Sequence, residues 1–270
     1  MRSAMVEALT LTTEEARSPA APPLRVARTS AEWVAYFRAN RERLLAIPWD
    51  AGAGVTPEEL AKIVDSLRAW QLGETSEGTT LIRTAEKHAA RIGDPDFVDV
   101  IRLFIAEEQR HGETLGLFLD AAGVPRATRD LGDSLFRVFR HFLTRMEVWA
   151  TIVVIIEVHA LLYYAAVRRA TGSAILRRIC EQLLRDEVPH IRFQCEQLAL
   201  IHRRRGRVLR WLTAGAHRFL FTGITLAVWA GHRRALRAGG FTFRRFWRGA
   251  WAKMRAAWRM MDPATYRWPT

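Results

Sequence analysis

Apolar positions in this chain recur mainly at three- and four-residue intervals, and strand-like alternation is scarce, so the pattern predicts helix almost throughout. Thr29-Ser-Ala-Glu32 has the form of a capping box and opens an accessory helix over about 30–48, stopped by Pro48. Thr56-Pro57-Glu58-Glu59 is a stronger start, with a cap, a proline in the first turn and acids beside the helix N-terminus. The helix it opens is expected to run unbroken to about Ile92, with an inward stripe of Leu67, Trp70, Glu74, Glu77, Leu81 and Ala85. A second long helix follows Asp94-Pro95 and ends near Gly123. After a polar connection over 126–133, an amphipathic stretch from Ser134 to Met146 leads into a third, ending near Ala170. Thr171-Gly172-Ser173 turns the chain into a fourth, Ala174 to about His202. An apolar helix over about Val208–Trp229 and a cationic, aromatic one after Gly239-Gly240 complete the chain. The fold class expected is all-α.

Several polar residues sit where this pattern calls for apolar ones. Glu157 lies in the middle of Val148–Val167, a run with few other strongly polar groups. An unpaired carboxylate there would cost several kcal/mol or take up a proton. Glu108 and His111 are three residues apart, as are Glu187 and His190, and helical spacing puts each pair on one face. A glutamate also precedes each pair at a similar distance: Glu77 lies 31 residues before Glu108, and Glu157 lies 30 before Glu187. Glu74 shares the stripe with Glu77. Glu77 is preferred because it and Glu108 are more nearly equidistant from the turn at Gly93-Asp94, leaving Glu74 as a supporting group. Gly73 and Gly78 flank the two acids and suggest close helix approach or a local bulge. Pro189 falls inside the second pair, where a kink or π-type bulge is expected.

A glutamate, a Glu-x-x-His, a glutamate and a second Glu-x-x-His on four helices resemble the dinuclear carboxylate site of the ferritin-like superfamily. The resemblance covers residues 57–200 and implies a ferritin-like four-helix bundle. It further implies metal ligation by Glu77, Glu108, His111, Glu157, Glu187 and His190. Glu108 and Glu187 would bridge two ions, each histidine would bind one, and Glu77 and Glu157 would be terminal. Oxygen and nitrogen donors without sulfur favour iron or manganese, so two irons or a manganese–iron pair are expected. Glu107-Glu-Gln-Arg-His-Gly112 is similar to the first metal motif of acyl-carrier desaturases. Asp186 resembles the acid before the ligand in those enzymes and in ribonucleotide reductase small subunits, which implies that it holds His111 and pairs with Arg110. Tyr164 shares the face of Glu157. It is expected as a core or supporting residue, and His159, which points elsewhere, as a satisfied core or surface histidine rather than a ligand.

Composition bounds the partners. Of the net charge of +13, residues 201–270 carry sixteen basic side chains against a single acid, Asp262, so the basic character belongs to that end. Its tryptophan and arginine suit packing on the bundle or a peripheral contact with anionic lipid, and nucleic acid is disfavoured. Cys180 and Cys195 fall about 22 Å apart on one predicted helix, so they cannot bridge each other, and a cytoplasmic setting is expected, with the inner face of the membrane as the place of any lipid contact. Residues 1–28 are low in complexity, show no signal-peptide pattern and are expected to be disordered. Three regions result: 1–28, the bundle over 29–200 and the extension over 201–270. The function implied is a diiron oxidoreductase that uses dioxygen to hydroxylate or desaturate an organic substrate, hydrophobic ones included. No flavin, ferredoxin or rubredoxin motif is present, so its electrons come from an external donor. A ferroxidase and a non-catalytic helical protein with a structural metal are the alternatives, and a homodimer is left open.

Overall fold

A computed structural model describes residues 25–128 and 145–268. Among them are eight α-helices and one two-stranded pairing, so the fold is all-α. The helices are α1 (Ser30–Arg41), α2 (Pro57–Glu74), α3 (Thr79–Ile92), α4 (Asp96–Ala121), α5 (Met146–Ala170), α6 (Ala174–Arg203), α7 (Arg207–Ala238) and α8 (Phe243–Met260). The expected helix over Ser134–Met146 lies, but for its last two residues, outside the described part.

Local chemistry sets most of the boundaries. Both capping boxes form: Thr29 accepts from the Glu32 amide while Glu32 reaches back, and Thr56 and Glu59 do the same at α2. Ser173 and Thr242 cap α6 and α8, and left-handed Gly93 closes α3. The accessory helix ends at Arg41, well before Pro48. Of the stretch expected to be disordered, residues 1–24 lie outside the described part, and Arg25–Val26 form β1, which pairs in parallel with β2 (Tyr266–Arg267).

The single helix expected over 57–92 is two. Thr75 folds back on Leu72, its hydroxyl donating to that carbonyl at 2.8 Å, and α3 restarts from Gly78 in the left-handed region (φ +66°). A Cβ on Gly78 would lie 2.5 Å from Ile105 Cδ1, so glycine also permits α4 to pack there. α6, by contrast, stays α-helical through Pro189, without the expected π-type turn.

Helices α2, α4, α5 and α6 enclose the centre: α5 packs on α6, α2 on α4, and α4 on α6. α1 and α3 cover α4. α7 lies on α5 and α2, and α8 lies on α5, α6 and α7. α7 runs parallel to α5, because two contacts share one offset: Thr151 Oγ1 to His217 Nε2 at 3.1 Å and His159 Nε2 to Thr225 Oγ1 at 3.0 Å. The aromatic face of α8 turns inward. Phe246 and Met254 are fully buried, and Phe221 of α7 meets Trp251 and Trp258 edge-on.

Candidate metal centre

Four helices bring six side chains to one place: Glu74 from α2, Glu108 and His111 from α4, Glu157 from α5, and Glu187 and His190 from α6. Two groups of donor atoms, Glu108/Glu157/Glu187/His190 and Glu74/Glu108/His111, each lie within 4.8 Å of one another, and such groups could hold a metal ion. Glu108 belongs to both. Close approach of α2 and α4 depends on Gly112, where a Cβ would stand 2.7 Å from Thr75 Cγ2 and 3.1 Å from Glu74 Cβ.

Both imidazoles turn Nδ1 inward. His190 Nδ1 is 2.9 Å from Glu108 Oε1 and 3.2 Å from Glu187 Oε2, and His111 Nδ1 is 3.8 Å from Glu108 Oε1 and 3.7 Å from Glu187 Oε1. The Glu187 carboxylate thus turns one oxygen to each histidine. The outward Nε2 atoms meet acids: His111 faces Asp186 at 3.0 Å and His190 faces Glu107 at 3.1 Å. The acid that opens each motif therefore supports the histidine of the other. Gln182 and Asn40 donate to Asp186, and Arg110 pairs with Glu107 and, at 3.5 Å, with Asp186. Tyr164 donates to Glu74 at 2.7 Å.

Glu77, the favoured ligand of the first helix, is not in the cluster. It is exposed in the break between α2 and α3, and Glu74 occupies the inward position. Counting from the Gly93-Asp94 turn assumed one helical rise per residue, which the non-helical Thr75–Gly78 invalidates. Glu108, His111, Glu157, Glu187 and His190 are brought together, with Asp186, Arg110 and Tyr164 around them. His159 is buried outside the cluster, against the Ile155 carbonyl and Thr225.

Sequence reasoning missed Glu107 and Asn40. Glu107 had a readable signal, because Glu107-Glu108 and Asp186-Glu187 are the same acidic doublet ahead of the same histidine spacing. Asn40 had none, since it reaches the centre from the accessory helix α1.

The site concentrates negative charge away from water. Glu187 and His190 are fully buried, His111, Glu157 and Glu74 nearly so, and the Glu108 side chain keeps 19% exposure. Burial, reinforced by Glu108 and Glu187, raises Glu74 well above the usual carboxylate range. Burial and the same kind of repulsion, from Glu187 and Glu108, raise Glu157. Burial also works against an ionised Glu108, but its contacts with His190 and the charge of His111 outweigh it and hold the group at about 2. For His190, burial opposes the charged form and is outweighed by Glu107, Glu108 and Glu187, which raise it well above its ordinary value. His111 rises similarly: Asp186, Glu187 and Glu108 overcome its burial.

These shifts describe a cavity that gathers positive charge. With both imidazoles neutral, six acids face one arginine, a formal charge of −5 that two divalent cations would reduce to −1. Glu108 Oε1, His111 Nδ1 and Glu187 Oε1 are buried without a hydrogen-bond partner of acceptable geometry, and all three point into the cluster. The donor set therefore fits metal ions.

Compared with protein-family models, curated proteins and solved structures, the chain finds no match.

Proposed function

We propose that the cluster is a dinuclear non-haem iron centre in a ferritin-like bundle, and that the protein is an oxidoreductase using dioxygen to hydroxylate or desaturate an organic substrate. The observation that carries this reading is the placement of Glu108 and Glu187 between two inward-facing Nδ1 atoms. Two nitrogen donors with one oxygen of Glu187 turned to each would hold a pair of ions, one beside each histidine. Glu74 lies on the His111 side and Glu157 on the His190 side, so each ion would have a terminal carboxylate. The absence of sulfur donors suits iron or manganese over zinc in a cysteine-rich structural site.

A ferrous pair would supply two electrons toward dioxygen and the external donor would restore them, so inserting one oxygen atom into a C–H bond would consume two electrons and two protons in all as the other oxygen leaves as water. The protein's own groups hold geometry and protons around that chemistry. Asp186 and Glu107 fix the imidazole rings with Nδ1 toward the centre. Tyr164 anchors one oxygen of Glu74. Phe104 lies edge-on to His190, ring centroids 4.9 Å apart, and keeps water from that side. Solvent reaches the cluster beside Glu108, its most exposed member.

Anaerobic loading of the full chain with ferrous iron tests the reading. Two irons per chain, and a transient visible absorption when dioxygen is admitted, are expected. Fewer than one iron per chain, or bound iron indifferent to dioxygen, would overturn it.

A further inference from the structure

The tryptophan-rich α8 packs inward, yet α7 leaves a long apolar face uncovered. Val208, Leu212, Phe219 and Leu226 fall on one stripe, opposite the buried His217, Phe221, Thr225 and Val228. Their exposures are 74, 54, 84 and 48%, and Trp211 beside them is 75% exposed. Gly215, Ala216, Gly223 and Ala230 fill the gaps, so no charged side chain interrupts the stripe between Val208 and Ala230. A surface helix of a water-soluble protein ordinarily presents the reverse, with charge outward.

Geometry adds to this. At the offset that pairs Thr151 with His217, Met146 stands opposite Leu212, so Arg207–Trp211 extend past the start of α5. The overhanging turns are exposed on every side.

Charge selects the occupant. Arg203, Arg204, Arg207 and Arg210 cluster at one end of the stripe and Arg233, Arg234 and Arg237 at the other, and no acid occurs anywhere in 201–261. A second copy packed α7 against α7 in either direction would set arginine against arginine, with no acid on the helix to relieve it. An anionic lipid surface takes both features at once: it accepts the apolar stripe among its acyl chains and the arginines at its headgroups.

We propose that α7 is an interfacial helix, lying in the plane of an anionic bilayer with Val208, Leu212, Phe219 and Leu226 inserted. The inference is independent of whether the metal centre turns over.

Flotation of the full chain with vesicles tests it, comparing pure phosphatidylcholine with a mixture containing phosphatidylglycerol. Wild type is expected to float with the anionic vesicles, less so at 1 M salt. The triple variant Val208→Asp, Leu212→Asp, Phe219→Asp should bind at least about tenfold more weakly at unchanged melting temperature, because no contact among the described residues covers these side chains. Wild type that stays in solution, or a variant that floats equally well, overturns the proposal. A variant that melts markedly lower would show that another part of this chain covers the stripe. Concentration-dependent dimerisation lost in the variant, without flotation of wild type, would assign the face to a second copy. Either result also overturns it.

Discussion

The centre between α2, α4, α5 and α6 and the outer face of α7 break the same rule in opposite directions. At the centre, four glutamates and two histidines occupy positions that would ordinarily be apolar, and most of them are nearly free of solvent. On α7, Phe219 at 84% exposure stands where a charged residue would ordinarily be. Local violations that a folded chain tolerates mark places where something outside the polypeptide completes the arrangement. For the acids the proposed complement is a pair of metal ions; for the α7 stripe it is the proposed anionic lipid surface. The inversion also divides the chain by sign, since every acid but Asp262 lies within residues 1–200 and the arginines dominate beyond them.

The strongest way to break the comparison is to remove a donor. His111→Ala or Glu187→Ala should abolish stoichiometric metal loading, measured as metal per chain after gel filtration. Glu74→Ala should lower it, whereas Glu77→Ala should leave it unchanged. Full loading in both His111→Ala and Glu187→Ala would refute the ligand set, and loss in Glu77→Ala would reinstate that residue.

A smaller effect sharpens the internal symmetry of the site. Asp186→Asn and Glu107→Gln should each weaken metal binding about 10- to 100-fold, as substitutions behind a ligating histidine do. Because the supports cross over, Asp186→Asn should weaken the ion on the His111 side and Glu107→Gln the ion on the His190 side. Competition with a chelator, followed for two binding steps, distinguishes this from a uniform loss.

The third effect lies at the seam between the two regions. Burial lowers His159 to about 4 from its ordinary 6.5, so the folded protein holds it neutral while the unfolded chain takes up a proton. The stability it contributes is therefore complete above pH 6.5 and is lost as pH falls toward 4. At 1.36 kcal/mol per pKa unit the loss is roughly 3 kcal/mol. Urea unfolding of wild type and His159→Gln between pH 7 and pH 4 should show a shallower decline in the variant. Parallel declines would mean that this histidine is not what makes the α5–α7 seam acid-sensitive.

Much of this was legible one residue at a time. The start signals at Thr29 and Thr56 act through atoms three residues apart, so sequence alone placed two helix starts. Glu157 in its apolar run and the doubled Glu-x-x-His spacing gave five of the six acids and imidazoles that converge. The sixth was misplaced, because a four-residue break at Thr75–Gly78 shifts which glutamate of α2 points inward. That break rests on contacts from α4: Ile105 against Gly78, and Gln109 donating to the Ser76 carbonyl at 3.1 Å.

The sequence determined helices, the spacing of donors within each, and the uneven distribution of charge, all of which depend on neighbours within one or two turns. Tertiary structure alone decided which acid supports which histidine, that Asn40 of α1 reaches Asp186, and that α8 turns Phe246, Trp251 and Trp258 inward while α7 leaves Trp211 and Phe219 exposed. These depend on the rotation and depth at which helices meet. A helix carries no record of its azimuth until a partner presses against one side of it.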